Sequence, residues 1–101
     1  MRLVLFFDLP TLSSLNLKSY RNFVKGIKEE GFYMLQESVY IKMVLNKKYA
    51  DSTIKRIKKN LPLEGSVLVL TITEKQFSSM NILLGKNKSD VINDIDRVVV
   101  L

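Results

Sequence analysis

The sequence predicts an α+β fold, a ferredoxin-like sandwich in which two helices cover one face of a β-sheet. Segments rich in β-branched and aromatic residues alternate with two segments of helical periodicity, and this alternation is typical of that architecture. The chain has 101 residues, of which 47% are hydrophobic and 26% are charged, as in an ordinary soluble domain. We therefore expect a single domain, with a core over about residues 1–77 and a C-terminal dimerisation and partner-binding tail over about residues 78–101.

The first strand is predicted at the N-terminus, where five apolar residues follow Arg2 and end at Asp8. So unbroken a run predicts a central strand that is buried on both faces. Pro10 has no backbone N–H to donate, so the strand should end at or near Asp8. A charge at the tip of a buried strand costs free energy unless it is solvated, paired or bound to a metal. Asp8 is therefore the first candidate for a functional residue.

The first helix is predicted to begin after a polar loop, with Asn16 as its N-cap and Ser14 as the alternative, and to end before Gly31. Its apolar residues recur at spacings of three, four and three, which places them on one helical face that should pack on the sheet. They are Leu17, Tyr20, Val24 and Ile27, with Phe23 on the flank.

A basic stripe runs along the same helix, shifted by one residue from the apolar face. It consists of Lys18, Arg21, Lys25 and Lys28. Since one residue turns a helix by about 100°, the basic stripe should lie directly beside the buried face, where its side chains could line a groove and reach phosphates. The alternative is a row of side chains that extend their stems over apolar surface at the helix boundary. The spacing fits both interpretations.

Residues 32–45 form a long β-like stretch whose apolar content falls at Glu37 and Ser38. Either two short strands meet there or one strand is bent by a bulge. Asn46 is then predicted to cap a second helix over about residues 47–60. The many lysines of this helix are interpreted as a solvated face. Its inward face comprises Ala50, Thr53, Ile54, Ile57 and Leu61.

A second buried strand is predicted at residues 66–73, followed by a helical turn that Thr73 caps. The tail is predicted to hold a short strand at residues 81–85 and a terminal strand at residues 97–101. An unpaired apolar strand at the chain end would be an aggregation hazard, so the terminal strand should add to a sheet edge, either its own or a partner's. We expect it to be exchanged or added at a dimer interface. A sheet with helices on one face also needs cover on the other, which favours a homodimer.

The composition excludes several kinds of site. The absence of cysteine excludes disulfides, a thiol nucleophile and thiolate metal sites, and it fits a reducing, cytoplasmic location. The absence of histidine excludes a Ser–His catalytic pair and a His-ligated zinc site. Any enzymatic chemistry must therefore use carboxylates, hydroxyls, basic side chains and a hard cation such as Mg²⁺. No apolar run reaches the roughly 18 residues of a membrane helix, so no membrane partner is expected.

The net charge of +6 is concentrated in the first part of the chain. Residues 1–60 hold 12 Lys and Arg against 5 Asp and Glu, whereas residues 61–101 hold 4 against 5. Such an excess predicts a polyanionic partner. Nucleic acid is favoured over a membrane surface, because no stretch pairs a basic face with bulky aromatic anchors. The alternative is a basic surface that serves only solubility.

Asp8 is chemically suited to bind Mg²⁺, since hard cations take carboxylate oxygens. One carboxylate makes a poor site, however, and two-metal phosphodiester chemistry needs several. A two-fold dimer that brings two copies of Asp8 together would supply the second carboxylate, with Glu37 or Ser38 nearby. The alternative is that Asp8 caps a loop or pairs with a basic residue such as Arg21.

Five motifs occur in this order along nearly the whole chain: FFDLP at residues 6–10, YRNF at 20–23, EGF at 30–32, QESVY at 36–40 and LTITEKQF at 70–77. In these motifs the chain resembles the small subunit of the CRISPR adaptation complex, the CRISPR-associated endoribonuclease family, and most of all its type II-A branch. One departure is Ile41-Lys42, where many relatives have Glu-Gly. This departure weakens the transfer of nuclease activity from such relatives.

The resemblance implies a role in CRISPR spacer acquisition. The chain would form a homodimer that bridges two integrase dimers in a heterohexamer and holds the middle of a double-stranded DNA prespacer, and its C-terminal strand would cross to the partner. The resemblance also implies Mg²⁺-dependent endonuclease activity on single-stranded RNA or double-stranded DNA, with Asp8 as catalytic residue and metal ligand. It places the family's DNA contacts on the basic stripe. The shortage of titratable groups favours a non-catalytic DNA-binding scaffold, whereas the resemblance favours both roles.

Overall fold

The computed structural model describes residues 1–85, which form a four-stranded sheet and three helices. The strands are β1 (Arg2–Asp8), β2 (Tyr33–Gln36), β3 (Val39–Met43) and β4 (Ser66–Ile72). The helices are α1 (Ser14–Glu29), α2 (Lys47–Lys58) and α3 (Glu74–Ser78). The strand order is β2-β3-β1-β4, and each neighbouring pair is antiparallel. This topology confirms the predicted ferredoxin-like α+β fold.

β1 lies at the centre of the sheet, but the two long helices cover only one of its faces. Leu3, Leu5 and Phe7 point towards α1 and α2 and are 0%, 0% and 7% exposed. Val4 and Phe6 point to the opposite face, called the second face below, and are half-buried. The prediction that β1 is buried on both faces is therefore wrong within residues 1–85, because α1 and α2 pack on the same side of the sheet.

Phe7 lies at the centre of the main core. Its ring meets Phe23 at 5.5 Å and Tyr20 at 6.2 Å, both edge-on, and it stacks on Tyr40 at 5.8 Å. Such edge-to-face and stacked contacts stabilise the fold by more than the burial of their apolar area alone. Since Phe7 directly precedes Asp8, this packing holds the end of β1 firmly in place.

Ser13 is the N-cap of α1, so the predicted N-cap Asn16 and the alternative Ser14 are both wrong. The Ser13 hydroxyl accepts a hydrogen bond from the Asn16 backbone N–H at 3.0 Å. Several cap-forming side chains stand close together in this loop, and cap preference alone cannot choose among them. The predicted end of the helix is confirmed, because Gly31 follows the C-cap with a φ of 101°.

Two strands occupy the stretch around Glu37 and Ser38, which confirms the first of the two alternatives. Ser38 has a φ of 65° in the turn between them. A bulge also interrupts the pairing of β2 with β3 between Met34 and Gln36.

α2 begins as predicted, since the Asn46 side chain accepts a hydrogen bond from the Tyr49 backbone N–H. The inward positions of Ala50, Thr53, Ile54 and Ile57 are confirmed by their burial. Leu61 is 52% exposed, so its predicted inward position is wrong. The helix ends at Lys58, and Leu61 no longer follows the helical rotation.

β4 is an edge strand and not the second buried strand that was predicted. Leu68 and Leu70 point to the second face, and each is 53% exposed. Thr73 caps α3 as predicted, with reciprocal hydrogen bonds to Gln76. α3 then places Phe77 against Ile41 on the second face, so this face is covered only in part by residues 1–85.

The predictions for the tail fall partly outside the described residues. Residues 81–85 form no strand, so the short strand predicted there is wrong. The terminal strand predicted at residues 97–101 lies outside the described residues, as does most of the predicted dimerisation tail. Within residues 1–85, no helix is long and apolar enough to cross a membrane.

Candidate nucleic-acid interface and carboxylate site

Asp8 is the last residue of β1, where it lies opposite Ser66 of β4 and is exposed to solvent. Its side chain makes no hydrogen bond or ion pair with any other residue in the range 1–85. The alternative in which Asp8 caps a loop or pairs with Arg21 is therefore not realised among these residues. A solvated carboxylate in this position is free to accept a ligand.

The backbone on both sides holds Asp8 in place. On the side of β3, the Phe7 N–H donates to the Ser38 carbonyl at 3.1 Å, so the predicted neighbour Ser38 does lie beside this strand end. On the side of β4, Gly65 has a φ of 112°, and a Cβ atom there would lie 2.7 Å from the Asp8 carbonyl oxygen and 2.7 Å from Leu9 Cδ2. Only glycine permits so close an approach. The position of Asp8 is thus set by the main chain and not by side-chain bonds.

A single chain does not provide a complete metal site in the part that the structure describes. No group of three or more His, Cys, Asp or Glu side chains lies together within residues 1–85. Mg²⁺ commonly binds one or two protein carboxylates and keeps several waters, so Asp8 can supply one ligand. Two-metal phosphodiester chemistry needs more carboxylates than these residues bring together.

The basic stripe lies along the exposed side of α1. All four of its residues are exposed, and within residues 1–85 none of them forms an ion pair or a side-chain hydrogen bond. The neighbouring residues Leu17, Tyr20 and Val24 are half-buried, which confirms that the basic stripe adjoins the packed face. Ten residues of helix correspond to about 15 Å, so four unpaired cations are spread along that length.

Two other cations of the helical layer are paired. Arg56 on α2 bonds Glu30 at 2.9 Å, and Lys47 bonds Asp51 at 3.5 Å. The basic stripe differs from these two cations in that it forms no ion pair within residues 1–85.

An ionic cluster around a buried arginine at the opposite end of β1 was not predicted from the sequence. Arg2 is 0% exposed, and its guanidinium bonds both oxygens of Glu74 at 3.0–3.1 Å and the Tyr33 hydroxyl at 2.8 Å. It also lies 4.1 Å from the centre of the Phe77 ring. The Met1 α-ammonium bonds the same carboxylate at 3.1 Å. This ionic cluster ties α3 to the start of β1.

The pKa of Glu74 follows from this arrangement. Burial alone would raise the pKa of the carboxyl, but the hydrogen bonds and charges of Arg2 and of the N-terminus outweigh it and hold the pKa below its usual value. The sequence contained a signal for this pair. An arginine in an apolar strand needs an acid, and Glu74 lies two residues after Ile72, the residue that pairs with Arg2.

Comparison with known proteins gives a consistent family assignment. The family model of CRISPR associated protein Cas2 matches residues 1–80. Among curated proteins, the chain is 48% identical over 101 residues to a CRISPR-associated endoribonuclease Cas2 of Treponema denticola, with 100% of both chains covered. It is 46% identical over 101 residues to the protein of that name from Ligilactobacillus salivarius, again with 100% of both chains covered.

A more distant relative of known structure supports the fold. The crystal structure of Streptococcus pyogenes Cas2 at pH 6.5 superposes with a TM-score of 0.61, at 16% sequence identity. The match covers 82% of this chain and 99% of the other. At this level of identity the likeness concerns the fold alone.

Proposed function

The chain belongs to the CRISPR associated protein Cas2 family, and we propose that it acts in CRISPR spacer acquisition as a non-catalytic DNA-binding scaffold. In this proposal a homodimer bridges two integrase dimers and holds the middle of the prespacer duplex. The observation that carries the proposal is the basic stripe, four exposed cations without acidic partners among residues 1–85.

The basic stripe suits the backbone of a duplex better than its bases. Lysine and arginine that approach phosphates release condensed counterions, which produces affinity without sequence preference. Contacts of this kind fix orientation and register on the duplex and do not read the sequence. A scaffold that accepts prespacers of any sequence needs contacts of this type.

The second face of the sheet supports the homodimer. Leu68 and Leu70 are half exposed there, and β4 forms an unpaired edge within the described part of the sheet. Exposed apolar side chains beside a free edge favour pairing with another chain. A two-fold dimer would carry two basic stripes and so double the number of phosphate contacts.

The second candidate function is Mg²⁺-dependent endonuclease activity on single-stranded RNA or double-stranded DNA. It is favoured by the exposed carboxylate of Asp8 at a strand end and by the name endoribonuclease that the relatives carry. Because two-metal chemistry needs several carboxylates, such a site would need Asp8 from both chains of a dimer.

Two sets of variants test the scaffold against the nuclease. Asp8→Asn should abolish any Mg²⁺-dependent cleavage and leave spacer integration largely intact. Replacing Lys18, Arg21 and Lys25 together by alanine should instead weaken duplex binding and lower the slope of log affinity against log salt by roughly 0.9 for each lost contact. Binding is measured by fluorescence anisotropy over a salt series, and integration with purified integrase subunit.

A matched control removes three exposed lysines from α2 and its C-cap, namely Lys48, Lys55 and Lys59, which changes the net charge by the same amount. This control should retain most of the duplex affinity and of the salt slope. If Asp8→Asn stopped integration while fold and dimer persisted, the scaffold proposal would be wrong. A monomeric mass by light scattering at micromolar concentration would contradict the homodimer.

A further inference from the structure

A groove of about 640 Å³ lies between α1 and the segment that connects α2 to β4. It is separate from the second face of the sheet and from the Asp8 carboxylate. Its floor reaches the core at Phe23, and its rim combines leucines with lysines and amides. The leucines are Leu15, Leu61 and Leu63, and the lysines are Lys18 and Lys25.

The groove is already formed in the single chain. The Leu63 backbone N–H donates to the Ser19 hydroxyl at 3.0 Å, and the Asn16 side-chain amide donates to Glu64 at 2.9 Å. These two bonds fasten the connecting segment to the first turns of α1. A surface that is fixed in advance loses little conformational freedom on binding.

Three leucines on the rim of the groove are exposed to solvent. Leu15, Leu61 and Leu63 are 63%, 52% and 65% exposed. A cluster of solvent-exposed apolar side chains is typical of an interaction surface. Duplex DNA does not require it, because phosphates are bound by cations and polar groups.

The charge of the rim selects the kind of partner. Lys18 and Lys25 border the groove and have no acidic partner within residues 1–85. Glu29 is the only acid that lines the groove in the described part of the chain. An occupant that covers the leucines must therefore tolerate two cations at its edge, which favours one with carboxylates beside its apolar residues.

We propose that this groove docks a protein segment in which apolar side chains are flanked by carboxylates. The leucines would bury the apolar side chains, and the two lysines would pair with the carboxylates. Taking the integrase subunit as the source of that segment rests on the proposed function above. Because Lys18 and Lys25 also belong to the basic stripe, the leucines provide the decisive test.

The experiment uses the full chain and purified integrase subunit, without DNA, in isothermal titration calorimetry. Leu63→Ser should weaken the affinity about fivefold, and Leu61→Ser/Leu63→Ser at least about tenfold, as expected for central apolar contacts. The matched control is Leu45→Ser, since Leu45 is 79% exposed and lies near Met1 at the other end of the sheet. It should bind within about twofold of the wild type. Circular dichroism melting confirms that each variant is folded.

Each other outcome has a defined meaning. If folded Leu61→Ser/Leu63→Ser binds integrase like the wild type, the docking inference is overturned and the proposed function stands. If the same variant changes only the homodimer mass, the occupant is a second copy, which overturns the inference. A tenfold loss of duplex affinity with integrase binding unchanged would identify DNA as the occupant and overturn it equally. If the wild-type chain does not bind integrase, the proposed function and the inference both fall.

Discussion

The two ends of β1 carry one charge each, and the fold treats them in opposite ways. Arg2 at the start is fully buried and bonded to Glu74 and Tyr33, whereas Asp8 at the end is exposed and has no side-chain partner within residues 1–85. Removing a charge from water costs several kcal/mol unless its hydrogen bonds are replaced, so Arg2 requires its ionic cluster. Asp8 remains in water and needs no such support. The Arg2 charge stabilises the fold through its bonded partners, whereas the Asp8 charge remains accessible to a ligand.

The largest expected effect is the loss of stability on replacing Arg2. Arg2→Ala removes the fork that holds Glu74 and leaves a void beneath Phe77, and we expect a loss of about 3 kcal/mol in the free energy of unfolding. Arg2→Lys should recover only part of it, because an ammonium cannot bond the carboxylate as a fork. Urea denaturation followed by circular dichroism measures both.

Arg56→Ala is the matched control, since Arg56 also bonds a carboxylate, that of Glu30 at 2.9 Å, but is half exposed. Its loss should cost only about 0.5 kcal/mol, as for other exposed pairs. Equal losses for the two arginines would show that burial does not distinguish them.

The second largest effect concerns the backbone beside Asp8. Gly65→Ala places a Cβ atom 2.7 Å from the Asp8 carbonyl oxygen at a φ of 112°, so the two strand ends must move apart. We expect a loss of about 2 kcal/mol, measured by urea denaturation. Gly26→Ala is the control, because a Cβ atom at Gly26 meets nothing within 4 Å and alanine favours the helix. Any Asp8-dependent cleavage should also fall in Gly65→Ala and not in Gly26→Ala.

Much of the fold could be predicted because local patterns and topology agree. The alternation of strands and helices, the cap at Asn46 and the turn at Gly31 all follow from composition and spacing. Burial was harder to predict. Leu68 and Leu70 have the composition of a core strand, but their exposure depends on which face the helices cover, and that is a tertiary property.

The residues of the candidate site could be predicted from the sequence, whereas the ionic cluster at the other end of β1 could not. The basic stripe and the end of β1 at Asp8 follow from periodicity and from Pro10. The bond between Arg2 and Glu74 joins residues 72 positions apart and depends on strand register. Spacing along the chain does not reveal register, which is set by packing on both sides of the strand.

Lowering the pH should weaken the ionic cluster at the Arg2 end of β1. The folded-state pKa of Glu74 is lowered from its usual 4.5, so its contribution to stability is present above that value and is lost as the pH falls through the lower folded-state pKa. The melting temperature of the wild type should therefore fall more steeply below about pH 4.5 than that of Glu74→Gln, which lacks the titrating group. Differential scanning calorimetry measures the two melting temperatures from about pH 6 down to about pH 3, a range that brackets the usual pKa. Parallel curves would contradict the lowered pKa.

The smallest expected effect completes the comparison. Asp8→Asn removes a charge that has no bonded partner within residues 1–85, and asparagine preserves the shape of the side chain. We expect the free energy of unfolding to change by less than about 0.5 kcal/mol, as for other exposed substitutions. Urea denaturation at neutral pH measures it beside Arg2→Ala. A loss of comparable size in the two variants would mean that Asp8 has a structural partner, and the contrast between the strand ends would disappear. A change near zero would confirm that the Asp8 side chain makes no stabilising interaction within the fold.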